Sequence, residues 1–374
     1  MVNIASWLFF AAASFIFYAL LGYPLLLLVW GLFAPRPVHR GPFFPTVSVL
    51  IPVRNGELWI ADKLRSVFAL EYPQERIEVI VASDGSTDQT ASLVRQFPQV
   101  QLLDLPAGGK CMALNAAMTR ARNEILFFTD VRQRLDRDCL RQLCSCLADP
   151  QIGVVSGELV ILRGDRHEHA RLGLYMRFEE WLRKQISRVG SVPGATGAVY
   201  AIRRKIAVPL PADILLDDVF QPISAYFQGY RVILDGSAIA YDVPTSLEAE
   251  FHRKVRTLAG LFQIVYHFPA LLNPRHDIWI HFASHKLVRL LMPYAFLLLL
   301  ISSVWLPYPW RVPVLAVQAL FYGLALLDFV LPERVPLKRL SSLNRTFLTL
   351  LAASVAAGSI LFRPSLSLWT SDRR

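Results

Sequence analysis

Residues 77–90 read IEVIVASDGSTDQT. The opening Ile77-Glu78-Val79-Ile80-Val81 is β-branched and apolar enough for a buried strand, and Ser83-Asp84-Gly85-Ser86-Thr87-Asp88 supplies turn formers. A helical pattern opens near Asp88. The same strand–turn–helix order recurs on both sides. Val47-Ser48-Val49-Leu50-Ile51 precedes a helix with Ile60, Leu64, Val67 and Phe68 on one face. Val100-Gln101-Leu102-Leu103 precedes one containing Met112 to Met118, and Ile125-Leu126-Phe127-Phe128 precedes one starting about Asp136. This alternation predicts a parallel sheet covered by helices on both faces. Ligands of such sheets bind at the carboxyl ends of the strands.

Polar residues gather at those ends: Pro52, Arg54, Asn55 and Glu57 after the first strand, Asp84 after the second, Gly108, Gly109 and Lys110 after the third, Thr129-Asp130-Val131-Arg132 after the fourth. Each group alone is ordinary loop chemistry. Together on one edge they fit a sugar nucleotide. Asp84 accepts bonds from a nucleobase or ribose, Lys110 neutralises a diphosphate, and Asp130 holds a divalent cation, Mg²⁺ or Mn²⁺, that bridges it.

Farther out, the composition changes. The chain has 374 residues, 54% apolar but only 18% charged, against about 25% charged in a soluble domain. No charge occurs from Met1 to Pro35, only Asp328 between Val312 and Leu331, and none from Thr346 to Phe362. Runs of about 17–25 apolar residues are long enough to cross a bilayer. The expectation is an integral, multi-pass protein of the inner or plasma membrane, with spans at about 5–33 (kinked at Pro24), 287–306, 312–331 and 344–362. A simple cytosolic enzyme, a disordered tail and a collagen-like fibre are excluded.

The net charge of +10 lies beside the apolar runs, at Arg36, His39, Arg40, Lys338, Arg339 and Arg345. That is the positive-inside pattern of cytoplasmic flanks, not a nucleic-acid surface. It places the middle domain in the cytoplasm and the N-terminus outside. Four spans would put the C-terminus outside too, against which Arg363, Arg373 and Arg374 weigh mildly. The N-terminal run lacks a positive n-region and is too long for a cleaved signal peptide, so it reads as an anchor. Cys111, Cys139, Cys144 and Cys146 match neither a zinc site nor a disulfide framework and read as small buried residues. In the apolar stretch 258–286, with His267, His276, His281 and His285, interfacial helices are favoured over a metal site, Trp279, His281 and Lys286 lying at headgroup level. Glu179 and Glu180 read as surface residues.

The motifs IPVRNGE, VASDGSTDQT, GGKCMALNAA and FTDVRQRLD resemble, in order and spacing, the donor-site series of the family 2 inverting glycosyltransferases. GATGAVYAIRR resembles that family's acceptor-side loop, and LLDDVFQPISAYFQGYRVILD its catalytic-base segment. The resemblance covers roughly 45–290 and extends to the anchoring pattern of the membrane-bound polysaccharide synthases. It implies an A-type α/β fold, a Rossmann-like mixed sheet, with an α-helical transmembrane region. It also implies a nucleotide-sugar donor, Asp218 as general base, and Thr196, Gly197 and Asp217 on the acceptor side. In it, Arg253 and Arg256 occupy the place of the arginine-rich QxxRW motif that closes on the diphosphate.

Two departures stand out. The usual Asp-x-Asp metal motif is Asp130-Val131-Arg132, so Asp130 acts alone or with ligands elsewhere, and Arg132 becomes a candidate for direct phosphate contact. At the QxxRW position Thr257 replaces the tryptophan, which weighs against processive growth. The expected organisation is an anchor at 1–40, the transferase domain at 41–257, interfacial helices at 258–286 and about three C-terminal spans at 287–374. Three functions follow: a processive β-polysaccharide synthase using a UDP-sugar, a single-transfer enzyme acting on a lipid or lipid-linked acceptor, or an inactive binding or scaffold subunit.

Overall fold

The structure, a computed structural model, describes residues 4–163, 168–169, 174–243, 247–332 and 335–361. It divides into two units, Ala34–Arg171 with Arg183–Thr245, and Met1–Phe33 with Leu172–Leu182 and Ser246–Arg374.

The first unit is built on the strands read from sequence. β1 (Val47–Val53) pairs in parallel with β2 (Ile77–Asp84) and β4 (Ile125–Phe128), and β2 pairs in parallel with β3 (Val100–Leu105). All seven residues of β1 are buried, as a central parallel strand covered on both faces must be. Each such Val, Leu or Ile contributes about 1.5–3 kcal/mol relative to exposure. Helices α3 (Ile60–Phe68), α4 (Thr90–Val94), α5 (Lys110–Arg120) and α6 (Cys139–Cys146) follow the predicted pattern. Ile60, Leu64 and Val67 of α3 pack into the core, as do three of the four cysteines; all four are buried and unpaired with one another.

Beyond β4 the sheet ceases to be parallel. Its order is β3-β2-β1-β4-β8-β6-β9-β5, with β5 (Arg134–Leu135), β6 (Ile152–Arg163), β8 (Tyr200–Arg203) and β9 (Arg231–Asp242), while β7 (Glu168–His169) pairs with β6. β8 is antiparallel to both β4 and β6, β9 is parallel to β6, and β5 is antiparallel to β9. The purely parallel sheet is thus corrected to a mixed one, as the family resemblance implied. From Arg183 onward, α7 (Leu174–Val189) belongs to this unit, as does α8 (Asp217–Phe227).

The second unit is helical. Helix α1 (Ile4–Phe17) passes through a π-helical turn, Tyr18–Gly22, into α2 (Tyr23–Phe33). The turn stands where the ring of Pro24 meets the carbonyl four residues back, which opens the backbone ladder. Among the described residues three helices are long and apolar enough to cross a membrane: Ile4–Phe33, Ile278–Ser303 and Leu340–Ile360. The first runs along α1 and α2. The second comprises α10 (Ile278–Phe282), a π-turn at Ala283–Leu287 and α11 (Val288–Ser303). The third lies largely in α13 (Leu337–Ala357). The remaining apolar run is α12 (Arg311–Leu327), only 17 residues, about 26 Å of helix against a hydrocarbon thickness of about 30 Å. Arg363, Arg373 and Arg374 lie outside the described residues.

Polar pins join these helices. Tyr23 Oη and His281 Nδ1 are 2.9 Å apart, and Trp30 stacks on the same imidazole. His281 and His285 are therefore buried on the long helix 278–303. Asp328 is fully buried, accepts from Ser341 (2.7 Å) and Ser342 (2.8 Å), and is ion-paired with Arg345 (2.8 Å), tying the end of α12 to α13. Glu179 is no surface residue: it is ion-paired with Arg289 and lies 3.2 Å from His285 Nε2. A half-buried carboxylate is stabilised by such partners.

Candidate active site

The four parallel strands end in loops that brace one another. Pro52 lies inside β1, opposite Ala82, because the strand runs on to Val53. Asn55 takes a left-handed φ of 50°, a conformation Asn tolerates better than most residues. Its Oδ1 accepts Thr87 N–H at 2.9 Å, while its own N–H reaches Ser86 Oγ at 3.1 Å. Glu57 Oε2 accepts Gln89 N–H at 2.9 Å, and Asp88 Oδ2 accepts Glu57 N–H at 3.0 Å. Asn55 and Glu57 thus hold the first loop to the second.

Asp84, only 6% exposed, closes β2. Its Oδ1 accepts Gly108 N–H at 2.6 Å and Gly109 N–H at 2.9 Å. Its Oδ2 lies 3.9 Å from Arg54 Nη1. Next comes Gly85 at φ +60°, where an added Cβ would stand 2.7 Å from Ala107 N. The Gly-Gly-Lys loop is therefore seated on Asp84, which delivers Lys110 to the strand ends.

Lys110 Nζ bridges two carboxylates, Asp130 Oδ1 at 3.0 Å and Asp217 Oδ1 at 3.1 Å. Burial lowers its pKa, but Asp130, Asp217 and Asp218 outweigh that and hold the ammonium well above the usual lysine range. Asp217 is buried, whereas the Asp130 side chain is 37% exposed. Of the predicted residues, this is the tightest meeting.

Arg132 points elsewhere. Its guanidinium pairs with Asp242 at 2.6 Å, and Gln133 Nε2 donates to the same oxygen at 2.9 Å. The turn carrying Asp130 is also held from beneath by Lys63, fully buried on α3, which donates to Thr129 Oγ1 (2.5 Å) and Gln133 O (2.7 Å). Burial pulls this lysine down to about 7, with Asp130 and Cys139 pushing the other way. No sequence motif singles out Lys63. Its signal was nonetheless present, since it shares with Ile60, Leu64 and Val67 the apolar spacing of one helix face.

On the acceptor side, Asp218 Oδ2 accepts Gly197 N–H at 3.2 Å, and Asp218 O accepts Ala195 N–H at 2.7 Å. Thr196 N–H bonds Ser156 Oγ at 2.9 Å, and Arg183 reaches both hydroxyls, at 3.0 Å to Thr196 and 3.2 Å to Ser156. Thr129 Oγ1 donates to Ala198 O at 2.7 Å, joining this loop to the Asp130 turn. Tyr200 stacks on Phe128 with centroids 4.6 Å apart, its buried hydroxyl without a hydrogen-bond partner among the described residues. Burial first, then Asp217, Asp218 and Asp130, pushes that phenol well above its ordinary range. Nothing in the sequence singled out Ser156, Arg183 or Tyr200. Arg253 and Arg256 stand in the other unit, on α9 (Leu247–His267), where Arg253 is ion-paired with Glu250.

Among the described residues no three His, Cys, Asp or Glu side chains are grouped to hold a metal by themselves. The strand-end charges nevertheless suit a cation. Asp84, Asp130, Asp217 and Asp218 outnumber Arg54 and Lys110, and still exceed them with Lys63 charged. A diphosphate entering that field needs a counter-charge, and Mg²⁺ is commonly held by one or two carboxylates plus the phosphates themselves.

The chain matches Glycosyl transferase family 2 over residues 48–208 and Glycosyl transferase family group 2 over residues 129–360. It is 26% identical over 247 residues to the protein named "Probable glycosyltransferase YdaM" of Bacillus subtilis, covering 60% of this chain and 57% of that one. It is 23% identical to a beta-monoglucosyldiacylglycerol synthase of Synechocystis (59% and 48% covered). It is 24% identical to a poly-beta-1,6-N-acetyl-D-glucosamine synthase of Staphylococcus aureus (68% and 64%). The chain thus spans about half to two thirds of these curated relatives. In fold it is similar to a mannosyltransferase of Pyrobaculum calidifontis solved with GDP-Man and Mn²⁺, with a TM-score of 0.76 at 24% identity over 96% of this chain and 99% of that one. With a family match across more than half its length and the family's motif residues at the strand ends, the chain belongs to the family 2 glycosyltransferases.

Proposed function

We propose that the protein transfers a sugar, with inversion, from a nucleotide sugar to an acceptor held at the membrane. The observation that carries this reading is the Lys110 bridge between Asp130 on the donor edge and Asp217, the neighbour of Asp218. It puts a cation, a candidate metal ligand and the candidate base in one place. A UDP-sugar is the proposed donor. Pro52, Arg54, Asn55, Glu57 and Asp84 form the nucleotide end, Lys110 faces the diphosphate, and Arg253 and Arg256 are proposed to close on it.

In the reaction, the Asp218 carboxylate takes the proton of the acceptor hydroxyl while its oxygen attacks the anomeric carbon. The bond to the nucleoside diphosphate breaks on the opposite face, and the diphosphate leaves with the electron pair. Lys110 stabilises the negative charge that builds on the leaving group. Asp130 would hold a bound divalent cation, which would supply further charge neutralisation there. Thr196, Gly197 and Asp217 are the proposed acceptor-side residues.

The named relatives include a polymer synthase and a single-sugar lipid synthase. One observation favours single transfer here. In place of the tryptophan stands Thr257, whose hydroxyl donates to Arg253 O at 2.8 Å, within its own helix. No aromatic platform stands at that position for a growing chain to stack on. The proposed acceptor is therefore a lipid or lipid-linked glycan, with the sheet unit cytoplasmic on a multi-pass membrane anchor. The full chain, in nanodiscs with Mn²⁺, would be incubated with radiolabelled UDP-glucose, UDP-N-acetylglucosamine, UDP-galactose and GDP-mannose plus a lipid extract, and the products sized. A labelled single-sugar lipid is expected. A long polymer would overturn single transfer, and silence with every donor would favour the scaffold subunit.

A further inference from the structure

Helix α8 carries a proline at its centre, Pro222. Proline has no N–H, and its ring pushes away the carbonyl four residues earlier. In α8 that carbonyl belongs to Asp218. It accepts instead from Ala195 N–H, at 2.7 Å. Gly194, at φ +138°, allows the close approach: even a Cβ there would meet Val219 Cγ2 at 3.1 Å. One residue beyond Thr196, Gly197 N–H bonds the Asp218 carboxylate, and an added Cβ at Gly197 would stand 3.1 Å from Asp218 Oδ2. The backbone and side chain of one aspartate thus hold two amides of one loop.

The other unit uses proline in the same way. Pro293 lies inside α11, and the carbonyl it frees, Arg289 O, accepts from Ser354 Oγ at 2.9 Å. There the freed carbonyl joins two helices. In α8 it joins a helix to the loop bearing Thr196 and Gly197.

We infer that Pro222 is a positioning residue of the transfer reaction: by withholding an N–H from Asp218 O it docks the Ala195–Gly197 loop on the candidate base and fixes the base against the acceptor side. The inference rests on the transferase reading above. An ordinary residue at position 222 would offer its own N–H to Asp218 O, draw the carbonyl back toward the helix axis and release Ala195. The helix itself would gain, since proline is the least favourable residue in a helix interior. The signature is therefore a fold that is no weaker with a slower reaction.

The test compares Pro222→Ala and Pro222→Val, the second keeping the buried volume, with wild type in the full chain. Three quantities are read: melting temperature, hydrogen exchange of the segment 193–199, and kinetics with the donor that wild type uses. Expected are a melting temperature at or above wild type and exchange at 193–199 about tenfold faster. With these should come a kcat lower by about tenfold and a donor KM within about threefold, the pattern of a misplaced reacting group. Unchanged exchange, or faster exchange with unchanged kcat, would overturn the assignment. So would two variants that both melt well below wild type, which would make Pro222 a residue of stability. If wild type uses no donor, the transferase reading fails, while the exchange result still decides whether Pro222 docks the loop.

Discussion

The two halves of the sheet place their functional groups by different means. On the parallel half each loop follows its strand at once, and neighbouring loops brace each other: Asn55 to Thr87, Glu57 to Gln89, Asp84 to Gly108 and Gly109. On the mixed half, Asp218 and Thr196 are held where the first turn of a helix meets a loop, by Ala195, Gly197, Ser156 and Arg183. The donor edge is built by loops leaving adjacent strands of one parallel sheet, while the acceptor edge is built by docking a helix end on a loop. Changes on the donor edge should therefore act first on donor binding, and changes on the acceptor edge on turnover.

The strongest challenge to that division is Lys110→Met, because Lys110 touches both halves. It leaves Asp130 and Asp217 facing each other without their cation, and because Lys110 and Asp130 are only half-buried the loss should be about 1–3 kcal/mol. Turnover should fall by about 10²–10³, and donor binding should weaken with it. Thermal melting and steady-state kinetics would check both, and unchanged donor affinity would remove Lys110 from the diphosphate site. Asp84→Asn is a purer donor-edge change. A neutral carbonyl still accepts the two glycine amides, but more weakly, at a cost of about 1–2 kcal/mol. Donor KM should rise by about tenfold with kcat nearly unchanged, and a loss confined to kcat would break the comparison. Smaller still is Lys63→Met. It leaves the buried Gln133 carbonyl and the Thr129 hydroxyl each short of a donor, which should lower stability by about 1–2 kcal/mol. Calorimetry would detect that, whereas a gain in stability would mean that burying the lysine costs more than its two bonds return.

The same contrast explains what was legible in the sequence. The four parallel strands and their loops were visible because each is a short β-branched run with its turn residues adjacent. β6 and β9 were not. Ser156-Gly157-Glu158 interrupts the apolar pattern of the first and Asp235-Gly236-Ser237 that of the second, and their pairing register shifts between Ser156 and Glu158. Asp130, Lys110, Asp217 and Asp218 were named from motif and resemblance. That Lys110 joins two of them depends on α8 packing, which spacing does not encode. The partner of Arg132 was hidden for a like reason: Asp242 lies 110 residues away. The apolar runs announced helices, but the π-turns at Tyr18–Gly22 and Ala283–Leu287 and the shortness of α12 arise from prolines and packing that hydropathy averages away.

The most direct test of the account is Asp218→Asn, with donor binding and turnover measured on the same preparation. Asparagine keeps the shape and still accepts the Gly197 amide, but it cannot take a proton. The account predicts that calorimetric affinity for the nucleotide donor with Mn²⁺ stays within about threefold of wild type, while turnover falls by at least about 10², the lower range for a lost general base. Turnover close to wild type, or donor affinity lost together with it, would contradict the placement of Asp218 as the base on the acceptor edge.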